Sequence, residues 1–61
     1  MDNKYQDLHI YNWKTHGTSL MREIEIKQII FNENEIFIDF IKNATPMQIR
    51  LSKRFNSITI D

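Results

Sequence analysis

From Arg22 onward the apolar residues of this chain recur at every second position: Ile24 and Ile26, then Ile36, Ile38 and Phe40, then Met47, Ile49 and Leu51, then Ile58 and Ile60. Successive side chains of a β-strand point to opposite faces, so a period of two, filled with β-branched and aromatic residues, means strands. The alternation breaks at "NEN" (Asn32 to Asn34), at "NATP" (Asn43 to Pro46) and at "FNS" around Asn56, where Asn, Pro and Ser suit turn dihedrals. The expectation is an all-β fold, a single domain over residues 1–61 holding one small antiparallel β-meander sheet of four to five strands. Further upstream, "DLHIYNW" alternates Leu8 and Ile10 against His9, Tyr11 and Trp13, which adds a strand, and "THGTS" follows as a turn. Residues 18–23 admit two readings. Recurrent Ile at 24, 26, 29 and 30 favours a strand; Leu20, Ile24 and Gln28 on one helical face would make the fold α+β.

Turn chemistry extends the argument to register. A three-residue loop Asn32-Glu33-Asn34, with Asn34 in the left-handed region, sets Phe31 opposite Glu35, Ile30 opposite Ile36, Gln28 opposite Ile38 and Ile26 opposite Phe40. On the other side Ile29 then meets Phe37, and Lys27 meets Asp39. A four-residue loop over "NATP" sets Lys42 opposite Met47, Phe40 opposite Ile49, Ile38 opposite Leu51 and Asp39 opposite Arg50, so that Lys27, Asp39 and Arg50 form a charged row. The competing register has a two-residue turn at Glu33-Asn34 and a bulge near Lys27 and Gln28, and Glu at positive φ disfavours it. One face of the sheet is then apolar: Ile24, Ile26, Ile30, Ile36, Ile38, Phe40, Ile49 and Leu51. The second carries Glu25, Lys27, Asp39 and Arg50 beside an apolar group of Ile29, Phe31, Phe37 and Ile41, too apolar for a face that is only wet.

Size limits what such a sheet can do alone. A domain of 61 residues buries only about 60% of the surface its unfolded chain exposes. Cys is absent, which excludes a disulfide framework and thiolate zinc, and leaves a homo-oligomer or a protein partner as the expected reinforcement. Lys plus Arg equals Asp plus Glu at eight each, so no net field gathers nucleic acid or an anionic membrane. One Gly leaves no glycine-rich phosphate loop. Met1 to Asp7 carries no basic and apolar leader pattern, and no later run is long enough to span a bilayer, so a soluble cytoplasmic protein without membrane contact is expected. The wealth of Ile, Asn and Lys is compatible with an AT-rich bacterial or phage genome.

Few residues offer chemistry. Asp39 as an acid or base would need a second titratable group across a pocket, whereas flanking Lys27 and Arg50 would hold it ionised as a cross-strand pair. His9 and His16 frame "HIYNWKTH", but a metal needs three or four converging ligands and the remaining donors are scattered carboxylates. Ser19, Ser52 and Ser57 are turn residues without a base at a usable spacing. Neither an enzyme nor a cofactor is expected. Tyr11, Trp13 and Lys14 could stack bases and hold phosphate; the same aromatics also suit the cover of a thin core or the anchors of a protein interface. In "LSKRFNS", Lys53 and Arg54 precede an aromatic that folds back on the core, or form a basic lip for an acidic partner.

The stretch "IKQIIFNENEIFIDFIKNATPMQIRLSKRFNSIT" resembles a family of short bacterial β-meander domains of unknown function. The matching residues are Ile30, Phe31, Asn32, Ile36, Ile38, Phe40, Ile49, Leu51 and the "SKRFNSI" tail, about half the chain. The chain departs from that pattern in its second turn, where "NATP" replaces the family's Asp-Gly, and it stops where family members continue into a helix. The resemblance implies a small partner module of the toxin–antitoxin-associated type, with no catalytic residues to carry over. The expected function is therefore a non-enzymatic protein-binding factor, an inhibitor or antitoxin-like protein that self-associates and occludes a target through a sheet edge or face. The residues expected to make that contact are Tyr11, Trp13, Ile29, Phe31, Phe37, Ile41 and Arg54. A nucleic-acid-binding sheet using the aromatic and basic residues near the N-terminus is the alternative.

Overall fold

The computed structural model describes residues 4–61, so the leader-free reading of Met1 to Asp7 rests partly on residues outside that range. Five strands follow one another along the chain: β1 (Gln6–Asn12), β2 (Gly17–Phe31), β3 (Glu35–Lys42), β4 (Thr45–Ser52) and β5 (Asn56–Ile60). They build one antiparallel sheet in the order β4-β3-β2-β1-β5. The fold is all-β, as the alternation requires, and residues 18–23 are strand. No helix among the described residues is long and apolar enough to cross a membrane.

β2 is long, at 15 residues, because two halves of the sheet share it. Its first part, Gly17 to Ile24, pairs with β1; its second part, Glu25 to Phe31, pairs with β3. Two bulges bend it. Arg22 and Glu23 together oppose Asp7, Glu23 takes φ 55°, and its N–H donates to Asp7 Oδ1 at 3.1 Å. Lys27 is the second extra residue, between the pairs Ile26–Phe40 and Gln28–Asp39. Bulges kink a strand and increase its twist, and here they let the two halves fold toward each other.

The last connection requires that curl. β4 and β5 lie at opposite ends of the strand order, and four strand spacings would hold them about 19 Å apart in a flat sheet. Only Lys53, Arg54 and Phe55 join Ser52 to Asn56, a span of at most about 14 Å when fully extended. The connection is in fact a tight turn: the Phe55 N–H and the Asn56 side-chain amide both donate to the Ser52 carbonyl, at 3.3 and 2.9 Å. Lys53 N–H donates to Asn34 O at 3.0 Å, which seats this turn beside the β2–β3 turn.

The curled sheet encloses its own core. Leu8, Ile24 and Ile38 are fully buried at 0% exposure, and Ile10, Ile36 and Phe40 nearly so. Met21, Ile26, Ile29, Ile49, Leu51 and Ile58 pack against them. β4 and β5 residues share this cluster although no ladder joins their strands, so the fold substitutes curvature for a second layer.

The expected β2–β3 register holds at Ile26–Phe40 and is lost beyond it, and the expected β3–β4 register is overturned throughout. Beyond the Lys27 bulge, Gln28 faces Asp39, Ile29 faces Ile38, Ile30 faces Phe37 and Phe31 faces Ile36. Asn32 N–H donates to Glu35 O at 2.8 Å across Glu33-Asn34, which is the two-residue turn with a nearby bulge. The objection to that register does not apply, because neither Glu33 nor Asn34 has positive φ. The bulge also reverses faces: Ile29 joins the core side and Ile30 is exposed on the other. The second hairpin is likewise tighter than expected. Lys42 pairs with Thr45 across Asn43-Ala44, at φ 52° and 62°, the positive pair that a two-residue primed turn demands. Phe40 therefore meets Met47, Ile38 meets Ile49 and Ile36 meets Leu51. The final turn is Lys53 to Phe55, and Asn56 and Ser57 belong to β5.

Candidate binding surfaces

The outer face of β2, β3 and β4 follows from these registers as three cross-strand rows. Glu25, Ile41 and Pro46 form the first, Gln28, Asp39 and Gln48 the second, and Ile30, Phe37 and Arg50 the third. The expected Lys27, Asp39, Arg50 row is absent, because the bulge displaces Lys27 and the tighter turn shifts β4 by two residues. Glutamines flank Asp39 instead. Both cations are engaged elsewhere: Lys27 Nζ donates to Glu25 Oε2 at 2.8 Å, and the Arg50 guanidinium lies 5.7 Å from the Phe37 ring centre. The hydrogen bond from Lys27 holds the Glu25 carboxyl below its ordinary value against the opposing effect of desolvation, and Lys4, at 3.5 Å, adds to the lowering. Asp39 Oδ1 is buried without a hydrogen-bond partner among the described residues. Beside it opens a cavity of about 500 Å³ lined by Lys27, Asp39, Phe40, Ile41, Pro46, Met47 and Gln48.

Backbone groups line the adjoining edge. The pair flanking a two-residue turn exchanges both hydrogen bonds, and such pairs alternate along an antiparallel ladder. Thr45, Met47, Ile49 and Leu51 thus bond inward to β3, while Pro46, Gln48 and Arg50 turn their amide groups outward. Pro46 is tolerated because its position needs no N–H. β4 and β5 each have a single ladder neighbour among the described residues, so the sheet has two open edges.

A second surface lies where the β1–β2 loop meets the β4–β5 turn. Asn12 Oδ1 accepts from Lys14 and Thr15 N–H at 2.9 and 3.0 Å, which shapes the loop. Trp13 N–H donates to Phe55 O at 2.7 Å, and its indole N–H approaches Ser57 Oγ at 3.5 Å, leaving the ring 54% exposed. Lys14 Nζ and the Arg54 guanidinium lie 5.0 and 5.4 Å from the Phe55 ring centre. Tyr11 sits on the outer face of β1, its hydroxyl 3.2 Å from His16 Nδ1, near exposed Leu20. His9 does not approach His16; its Nε2 is 2.7 Å from Asp61 Oδ2.

The seven residues expected to bind a partner thus do not form one patch. Phe37 and Ile41 share the outer face of β3, half-buried; Ile29 packs on the core, and Phe31 lies on the core side of β2 but 59% exposed. Tyr11, Trp13 and Arg54 belong to the other half and its end. Sequence reasoning missed Ile30, Leu20 and Met47 as exposed apolar residues. None carried a signal: period two sets Leu20 with Ile24 and Ile26 on the core face, and the bulge at Arg22 and Glu23 turns it outward. Comparisons with protein-family models, with curated proteins and with solved structures give no match to this chain.

Proposed function

We propose that this protein is a non-enzymatic binding factor that docks on another protein through an open edge of its sheet and self-associates through the same kind of edge. The observation that carries this reading is the pair of unpaired outer edges, β4 and β5, on a small curled sheet. Unpaired N–H and C=O groups are a template for strand addition. The curl hides the apolar face but leaves Met47 and Ile60 exposed on the edge strands themselves. An inhibitor or antitoxin-like role by occlusion, as the family resemblance implies, fits such a module. The test is capture of a stoichiometric partner from native cells by the tagged chain, compared with Gln48→Pro, which removes an outward N–H without costing an inward ladder bond. Retention by the native chain and loss in the proline variant are expected; equal retention overturns the β4 edge. Light scattering at micromolar concentration tests self-association, and a strict monomer removes it.

A second reading, nucleic-acid binding, is supported by the gathering of Trp13, Lys14, Arg54 and Phe55, two cations on one ring beside an exposed indole. Aromatic platforms with adjoining cations suit single strands. Charge balance weighs against it. A gel shift that is present at low salt and weakens steeply as salt rises would favour it, and no shift at low salt disposes of it.

A further inference from the structure

Among the described residues no ion pair engages the Asp39 carboxylate. Lys27 is committed to Glu25, Arg50 lies against Phe37, and the cross-strand neighbours are Gln28 and Gln48. With one oxygen buried and unpartnered, the group lacks the donor that a half-buried carboxylate requires. Rotation about χ2, a broad two-fold torsion, lets either oxygen turn toward the adjoining cavity of about 500 Å³.

Ile41, Pro46 and Met47 make much of that cavity's wall apolar, so a complementary ligand has an apolar stem and a cationic donor at its tip. The cavity opens beside the β4 edge, where Gln48 and Arg50 turn their backbone groups outward. A strand added there lies two strand spacings from β3, about 10 Å, a gap that a long basic side chain and the aspartate's own carboxylate bridge together. Lys27 at the rim does not repel such a group as a lone cation would, because Glu25 neutralises it at 2.8 Å. Between the two basic side chains, arginine fits better. Its planar, weakly hydrated guanidinium lies flat on apolar walls and presents paired donors to a carboxylate.

We propose that Asp39 and its cavity form an arginine-recognition site, filled by the side chain of an extended partner segment that pairs with the outer edge of β4. The assignment rests on the edge-binding reading above and gives it a specificity: the partner strand carries an arginine opposite Gln48.

The test uses the full chain and two blocked peptides, one with arginine between two valines and one with citrulline, its uncharged isostere, in the same place. Amide shifts in nitrogen–proton spectra are followed at Asp39, Gln48 and Arg50. The arginine peptide should bind at least about ten-fold tighter than the citrulline peptide, as expected for one charge-assisted pair, and Asp39→Asn, checked as folded by the same spectra, should erase the difference. Equal binding of the two peptides, or selectivity that survives Asp39→Asn, overturns the arginine site while leaving edge pairing intact. Shifts with neither peptide overturn it too. If Gln48→Pro also leaves partner capture unchanged, the edge reading falls with it.

Discussion

Ala44 occupies a position that its side chain resists. At φ 62° a Cβ crowds the following carbonyl, a strain of about 1–2 kcal/mol that glycine escapes, partly offset by glycine's greater freedom in the unfolded chain. Ala44→Gly should therefore stabilise the protein by about 1 kcal/mol, a rise in Tm of roughly 4–8 °C for a chain of this size. Thermal melts monitored by circular dichroism check it, and an unchanged or lowered Tm contradicts the turn. The tight turn was hidden in the sequence by Pro46, which suggests a loop, although a proline whose nitrogen faces away from the ladder does not end an edge strand. Glu25 gives the fold a pH dependence. Its folded value is lowered by Lys27, so its contribution is present above the ordinary value of 4.5 and is lost as pH falls through the folded value. On acidification past that point, native Tm should drop more than that of Glu25→Gln. Parallel curves would assign the acid sensitivity to other carboxylates.

β2 decides which side chains the sheet hides. Its alternation is legible between bulges but not across the one at Arg22 and Glu23 or the one at Lys27, because each extra residue reverses the parity of everything beyond it. Ile29 and Ile30 separate the two registers. With Ile29 packed on the core and Ile30 exposed, Ile29→Ala should cost about 2 kcal/mol and Ile30→Ala less than about 1. Urea titrations of the two variants measure this directly, and the reverse order would restore the unbulged pairing. The same parity change scattered the candidate site. Asp39 and its neighbours Phe37 and Ile41 were legible as one face of β3, whereas the partners opposite them depended on a bulge and a turn length that local chemistry left open.

For the molecule as a whole, a core shared by all five strands leaves little reserve. A domain of 61 residues is stable by about 3–9 kcal/mol, and replacing a fully buried isoleucine with alanine costs about 2–5. Ile38→Ala should thus lower the urea midpoint by about a quarter or more, while Leu20→Ala, at a site 44% exposed, should move it by less than about a sixth. Similar losses at both sites would mean that the sheet does not enclose its core. By itself the sequence determined the strands, their antiparallel succession and which residues of β3 and β4 face inward, because side-chain alternation and turn composition are local properties. Only the tertiary structure decided the pairing, the curl and the isolation of Asp39. A single extra residue at Lys27, a turn two residues shorter and a connection too short for a flat sheet act between segments distant in the chain.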